Sequence, residues 1–349
     1  MKHGLWALVC MAGLAMTSPV PAAAADATYT ILGFHDLADW EKDDHQAALE
    51  TFLKTCPTLR DPDWKAICKM AETGPNAKTF FELFFRPVLI EEQKPALFTG
   101  YFEPELRGAL QQTPRFRYPI YRKPPEVQDG TPWLTRREIE ETGVLEDRGL
   151  ELAWVDDPVD VFFLQVQGSG RIRLSNGQIM RVGYGGSNGQ NYRSVGQELI
   201  RRGIYTRHQV SAQVIRNWVK RNPVEGPDLL RYNPSFVFFR KITNVPPDAG
   251  PIGAMNRSVT AGRTLAVDPK FTPLGAPVWL EKEGSDPMHR LMVAQDTGSA
   301  IKGAQRADIF FGTGYGAGRQ AGKIRDTGRM IVLLPIQRAF ALAPEGEAG

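Results

Sequence analysis

The last hundred residues break into short apolar runs divided by Gly and Pro, and this texture limits the fold more than any other feature. Six runs stand out, over 235–242, 265–267, 278–280, 291–295, 307–311 and 330–334. Their length, their turn residues and their apolar content predict strands. Short strands of this kind with tight glycine turns predict a small β-barrel.

The N-terminal part reads differently. From Leu37 to about residue 90, Trp40, Ala48, Leu49, Phe52 and Leu53 recur at helical spacing, and Phe80, Phe81, Leu83, Phe84 and Phe85 form a dense apolar face. At 96–102 an aromatic, β-branched run between Pro95 and Pro104 predicts a strand. Further on, Thr135 with Glu138 forms a capping box, and Ser194 with Gln197 opens a helix that Gly203 should stop. A third helix is expected over 206–221. The chain therefore reads as mainly β with N-terminal helices.

Before this body of the protein, Met1, Lys2 and His3 lead into the apolar run 5–16, then Ser18, Pro19 and the small residues 21–25. That order predicts a secretory signal peptide over 1–25, and the run is too short to span a bilayer comfortably. Cys10 lies within it, but Val9 is a poor neighbour for lipid attachment. The expected mature protein has about 320 residues, room for two domains, and is periplasmic. A formal net charge of +3 and no long basic stripe argue against nucleic acid as a partner. Cys56 and Cys68 remain as either a disulfide or two buried thiols. Neither their spacing nor His35, His45, His208 and His289, all expected on surfaces or in loops, suits a metal, so no metal and no cofactor are expected.

Chemistry is sought instead among acids in strands, where Asp is disfavoured. Asp268, Asp296 and Asp308 each end or begin an apolar run. Asp308 is followed by Ile309, Phe310 and Phe311, surroundings that would raise its pKa and let it keep a proton near neutrality, as a general acid must. The glycine-rich stretch 312–318 lacks the helix and acid of a dinucleotide site and is expected to be a wide turn.

Three longer motifs go further. Residues 98–104 (FTGYFEP), 161–170 (VFFLQVQGSG) and 295–310 (QDTGSAIKGAQRADIF) resemble signatures of the MltA lytic transglycosylases, and the likeness runs from about 95 to 335. The resemblance implies a double-psi β-barrel domain from 27–106 and 237–345, a second β-rich domain inserted at 107–236, and a groove between them for peptidoglycan glycan strands. It implies a peptidoglycan exotransglycosylase with Asp308 catalytic and Asp296 as its carboxylate neighbour. It is also compatible with outer-membrane association, a monomer and a wall-remodelling complex. Groove candidates are Thr99, Tyr101, Gln165, Gln167, Ser169, Tyr184 and Asn188, with core packing an equal reading for the two tyrosines. Gln165 and Gln167 are expected to share one face of a strand. Two other functions stay open: a hydrolase using Asp308 and Asp296 as a carboxylate pair, and a wall-binding barrel without catalysis.

Overall fold

The computed structural model describes residues 27–342 except 244 and 247, so the expected signal peptide and Cys10 lie outside the described residues. Strand β1 (Thr28–Ile31) is followed by helices α1 (His45–Leu53), α2 (Pro62–Ala71) and α3 (Ala77–Phe84). Asp44, Asp61 and Asn76 cap these helices by accepting from backbone N–H groups of the first turn. The helical stretch ends earlier than expected: Phe85 leaves α3 in an extended conformation and opens β2 (Phe85–Glu91). A bond between Cys56 and Cys68 joins the short turn before α2 to α2 itself.

Next come β3 (Leu97–Glu103), β4 (Glu105–Ala109), β5 (Tyr118–Tyr121), α4 (Arg136–Thr142), β6 (Glu151–Val155), α5 (Pro158–Gln167), β7 (Gly170–Leu174) and β8 (Ile179–Ser187). Helices α6 (Val195–Arg201), α7 (Ala212–Arg221) and α8 (Glu225–Arg231) lead to β9 (Val237–Ile242). The chain closes with β10 (Thr264–Val267), β11 (Pro277–Lys282), β12 (Met288–Thr297), β13 (Arg306–Thr313), α9 (Gly314–Ala321), β14 (Arg325–Asp326), β15 (Gly328–Pro335) and α10 (Ile336–Leu342).

Two sheets result. Nine strands in the order β1-β2-β15-β11-β12-β10-β13-β3-β14 form the barrel sheet, and six in the order β5-β6-β4-β7-β8-β9 form the other. Strand 237–242, expected with the barrel, pairs instead with β8 in the second sheet.

Side-chain alternation sorts the barrel wall into two faces. Phe98, Leu265, Val267, Ala307 and Ile309 pack together inside. Their neighbours Tyr101, Ala266 and Phe310 pack in a separate cluster on the other face. Phe52, Phe80, Phe81 and Phe85 from the helical region pack with Trp279, Leu291, Ile331 and Leu333 of the sheet.

Three further sequence expectations fail. Residues 161–167 lie in a helix, because Asp157 caps its start, Pro158 occupies its first turn and Gly168 ends it at φ +75°. The glycine-rich run is not a wide turn: α9 occupies 314–321. His45, expected in a loop or on the surface, is buried at the start of α1 and packs edge-on against Trp40.

Candidate active site

Four neighbouring strands carry one residue each in a row across the barrel wall. Asp296 on β12 pairs in register with Ala266 on β10, Ala266 with Asp308 on β13, and Asp308 with Thr99 on β3. Residues in register point to the same side, so both acids face the same way, their Cα atoms two strand spacings or roughly 10 Å apart. Ala266 between them has the smallest side chain of the row.

Each acid is held by a β3 residue. The Thr99 hydroxyl donates to Asp308 Oδ1 at 2.7 Å, and the Tyr101 hydroxyl donates to Asp296 Oδ2 at 2.9 Å. Thr99 and Tyr101 are two apart on one strand and therefore share a face.

The two carboxyls are in different states of engagement. Burial pushes the Asp308 pKa up to about 6, against the opposing hydrogen bond from Thr99 and the nearby Arg306 charge, while the Asp296 charge adds a little to the rise. Asp308 thus holds a proton over part of the range in which an ordinary aspartate is ionised. Asp296 is also raised by burial, but the donors around it work the other way: Thr297 N–H and Ala254 N–H at Oδ1, both at 2.9 Å, and Tyr101 at Oδ2. Asp296 ties the loop at 254 to the end of β12. Burial, followed by the Asp296 charge, raises the Tyr101 hydroxyl well above its usual value, so it acts here as a donor.

Beside this row runs a cleft of about 650 Å³ between the two sheets. From the second sheet and α5 it is lined by Gln165, Gln167, Ser169, Tyr184, Ser187 and Arg240, and from the barrel by Pro251, Asn256, Asp296, Ser299 and Lys302 among others. Asp308, Thr99 and Tyr101 are not among its lining residues; the Tyr101 hydroxyl meets it at Asp296. Tyr184 is well exposed there at 54%, an aromatic face open to a sugar ring. The two glutamines do not share a strand face. The Gln165 amide oxygen accepts from the buried Arg136 guanidinium, and Gln167 Oε1 accepts from Phe102 N–H of β3 at 3.0 Å. Asn188 is a clamp, not a groove residue: fully buried, it donates to the carbonyls of Leu134 and Pro234 and accepts from Phe236 N–H. The third acid, Asp268, accepts from Gly303 N–H at 3.0 Å and from Lys270 N–H, shaping the loop before β13. A second cavity of about 340 Å³, lined by Tyr118, Ile139, Phe162 and Phe236, takes no residue from the barrel sheet.

Sequence reasoning overlooked two groups. Arg306 stands two residues before Asp308 on the same strand, a spacing that by itself puts them on one face. Glu103, fully buried, binds Arg171 and Arg181 of the second sheet, and nothing in the local sequence announces those partners. Among the described residues no cluster of three or more His, Cys, Asp or Glu side chains could hold a metal ion.

Fold and site define a barrel enzyme in which one half-buried, proton-holding acid lies beside a polar cleft. Residues 97–240 match the family model for the MltA specific insert domain, and 263–334 match that for the 3D domain. The membrane-bound lytic murein transglycosylase A of Vibrio cholerae is 34% identical over 271 residues, 73% of this chain and 71% of the relative. A membrane-bound lytic murein transglycosylase from Agrobacterium tumefaciens superposes with TM-score 0.80 at 32% identity, covering 90% of this chain and all of that one. MltA of Escherichia coli with bound chitohexaose does so with TM-score 0.70 at 30% identity, over 84% and 90%. The chain belongs to the MltA family of lytic murein transglycosylases.

Proposed function

We propose that the protein cleaves the β-1,4 bond between N-acetylmuramic acid and N-acetylglucosamine in peptidoglycan, with Asp308 as both acid and base, and leaves a 1,6-anhydro end. The observation that carries this reading is the contrast between the two carboxyls. Asp308 keeps its proton to about pH 6, whereas both oxygens of Asp296 are occupied by donors. A general acid needs the first condition, and a nucleophile or water-activating base is hindered by the second.

In this mechanism Asp308 protonates the glycosidic oxygen as the C1–O bond breaks, while the muramyl N-acetyl group stabilises the positive C1. The Asp308 carboxylate then accepts the proton of the same sugar's C6 hydroxyl as that oxygen bonds to C1. Asp308 ends protonated, as it began, and no water is consumed. Asp296 holds the loops at 254 and 297 that border the cleft.

The chitohexaose bound to the Escherichia coli relative supports glycan binding along the cleft here, with Gln167, Ser169 and Tyr184 as contacts. The two sheets support a division into a barrel domain and an inserted β domain, with the return to the barrel after 242 rather than at 237. The predicted signal segment and the relatives' description as membrane-bound support export to the periplasm and outer-membrane association.

Mass spectrometry of digested peptidoglycan tests the reaction. Anhydro-muramyl ends are expected, and Asp308→Asn should lose more than the roughly 10²–10⁴-fold usual for one acid–base group, because one residue serves both steps. Reducing ends in the digest would replace this reading with the two-carboxylate hydrolase. Binding without any turnover by the wild-type protein would leave the non-catalytic barrel.

A further inference from the structure

Arg306 lies on the same face of β13 as Asp308 and reaches it through a third residue. Its Nη2 donates to Thr99 Oγ1 at 2.9 Å, and Thr99 Oγ1 donates to Asp308 Oδ1 at 2.7 Å. Nη1 is anchored on the carbonyl of Leu97 at 3.2 Å and on that of Ala307. The guanidinium is therefore fixed in place by the backbone of both strands it joins.

The direction of this chain follows from donor chemistry. A guanidinium offers only N–H groups, so the Thr99 oxygen must accept from it. An oxygen accepting from a cation is a poorer acceptor for a second proton and a better donor of its own. The single hydroxyl proton of Thr99 is thus turned to Asp308 Oδ1. We propose that Arg306 is a positioning residue: acting through Thr99, it keeps Asp308 Oδ1 a hydrogen-bond acceptor and so confines the transferable proton to Oδ2. An acid free to carry its proton on either oxygen would meet the glycosidic oxygen with a bare oxygen for part of the time. This inference rests on Asp308 being the acid.

Few groups face Asp308. Arg306 comes from its own strand, Thr99 and Tyr101 from β3, and Asp296 from β12, while β10 contributes the uncharged Ala266. Arg325 on β14 lies opposite Thr99, and its charge acts against that of Arg306. The Thr99 bond and the Arg306 charge both hold the Asp308 pKa down against burial, so loss of either moves it up.

The test compares Arg306→Gln, Arg306→Lys, Thr99→Val and the Arg306→Gln/Thr99→Val double variant on soluble glycan strands over a range of pH. Arg306→Gln should lower kcat about tenfold, the loss expected for one hydrogen bond to a charged group. KM should stay within about twofold, since ground-state binding is untouched. The alkaline limb of the pH profile should move up, because Asp308 then keeps its proton to higher pH. Thr99→Val should behave alike, and the kcat of the double variant should be no lower than that of Thr99→Val alone, since Arg306 orients the proton only through that hydroxyl; its through-space charge adds to the shift of the alkaline limb alone. Arg306→Lys should keep the limb near its wild-type position while losing part of kcat, as a point charge replaces a fixed fork.

A carbon-13 titration of the Asp308 carboxyl reads the same upward shift without turnover, and melting curves report folding. Additive losses in the double variant, or an unmoved carboxyl titration in Arg306→Gln, would overturn the proposal. Asp308→Asn, measured alongside, separates the two levels. If it stays active, the acid assignment itself fails; if it is inactive while Arg306→Gln matches wild type, only the positioning role fails.

Discussion

At the scale of single residues, Asp308 links stability to activity. An aspartate titrates near 3.8 in the unfolded chain and this one near 6 in the fold. Between those values the folded state binds the extra proton, so stability falls as pH rises from about 4 through about 6 and stays lower above. The penalty at neutral pH is at most about 3 kcal/mol. Asp308→Asn removes it while its side-chain oxygen can still accept from Thr99. Its melting temperature should exceed that of wild type near pH 8 and match it near pH 4; an equal gain at both would show the effect is not titration of this carboxyl. In the wild type, kcat/KM should fall as pH rises through about 6, because the acid form is lost. Asp308 was legible in the sequence because the apolar residues that raise its pKa follow it directly. The occupied state of Asp296 was not, because its hydroxyl donor, Tyr101, lies 195 residues earlier in the chain.

At the scale of elements, α5 and α9 show where local pattern and tertiary structure part. The run 161–167 has the composition of a strand, but its two ends carry helix caps, and the caps prevail. The glycines of 312–318 read as a turn, yet two packing contacts give glycine a different task. A Cβ on Gly318 would stand 2.8 Å from the Phe102 ring, and one on Gly100 would stand 2.7 Å from the Ala321 Cα. Glycine at these two places lets α9 lie directly on β3, the strand that carries Thr99 and Tyr101. Gly100→Ala should therefore destabilise the protein and lower kcat, because backbone must shift beside both side chains that hold the acids. Gly316→Ala, where an added Cβ meets nothing within 4 Å, should stabilise by up to about 1 kcal/mol through helix propensity alone. Urea denaturation of the two variants checks the contrast; equal effects would mean that close approach of α9 to β3 does not explain the glycines.

At the scale of the whole molecule, the relation between the two sheets depends on a charge buried where the chain crosses from one to the other. Glu103 ends β3 in the barrel sheet and, after Pro104, β4 begins the second sheet at Glu105. The Glu103 carboxylate accepts from Arg171 Nε at 2.8 Å, Arg181 Nη2 at 3.0 Å and the Thr313 hydroxyl at 2.8 Å. The same two arginines donate to the carbonyl of Ala249, and Arg181 also to that of Pro246, so the returning connection is fastened at the same point. Sequence pattern marked β3, β10 to β13 and β15 of the barrel but could not place 237–242 in its sheet, since pairing partners lie far apart in the chain. Nor could it show this hub. Glu103→Gln would leave the buried Arg181 and half-buried Arg171 guanidiniums facing a neutral amide, and removal of one partner from a buried pair costs about 3–5 kcal/mol. Because the site is buried, raising the salt concentration should change that loss little. Glu126→Gln, which breaks the surface pair with Arg148, should change stability little in any salt. Urea melts of both variants at low and high salt distinguish the cases. A Glu103→Gln loss that disappears at high salt would mean that the hub behaves as a surface ion pair and does not fix the two sheets across the cleft.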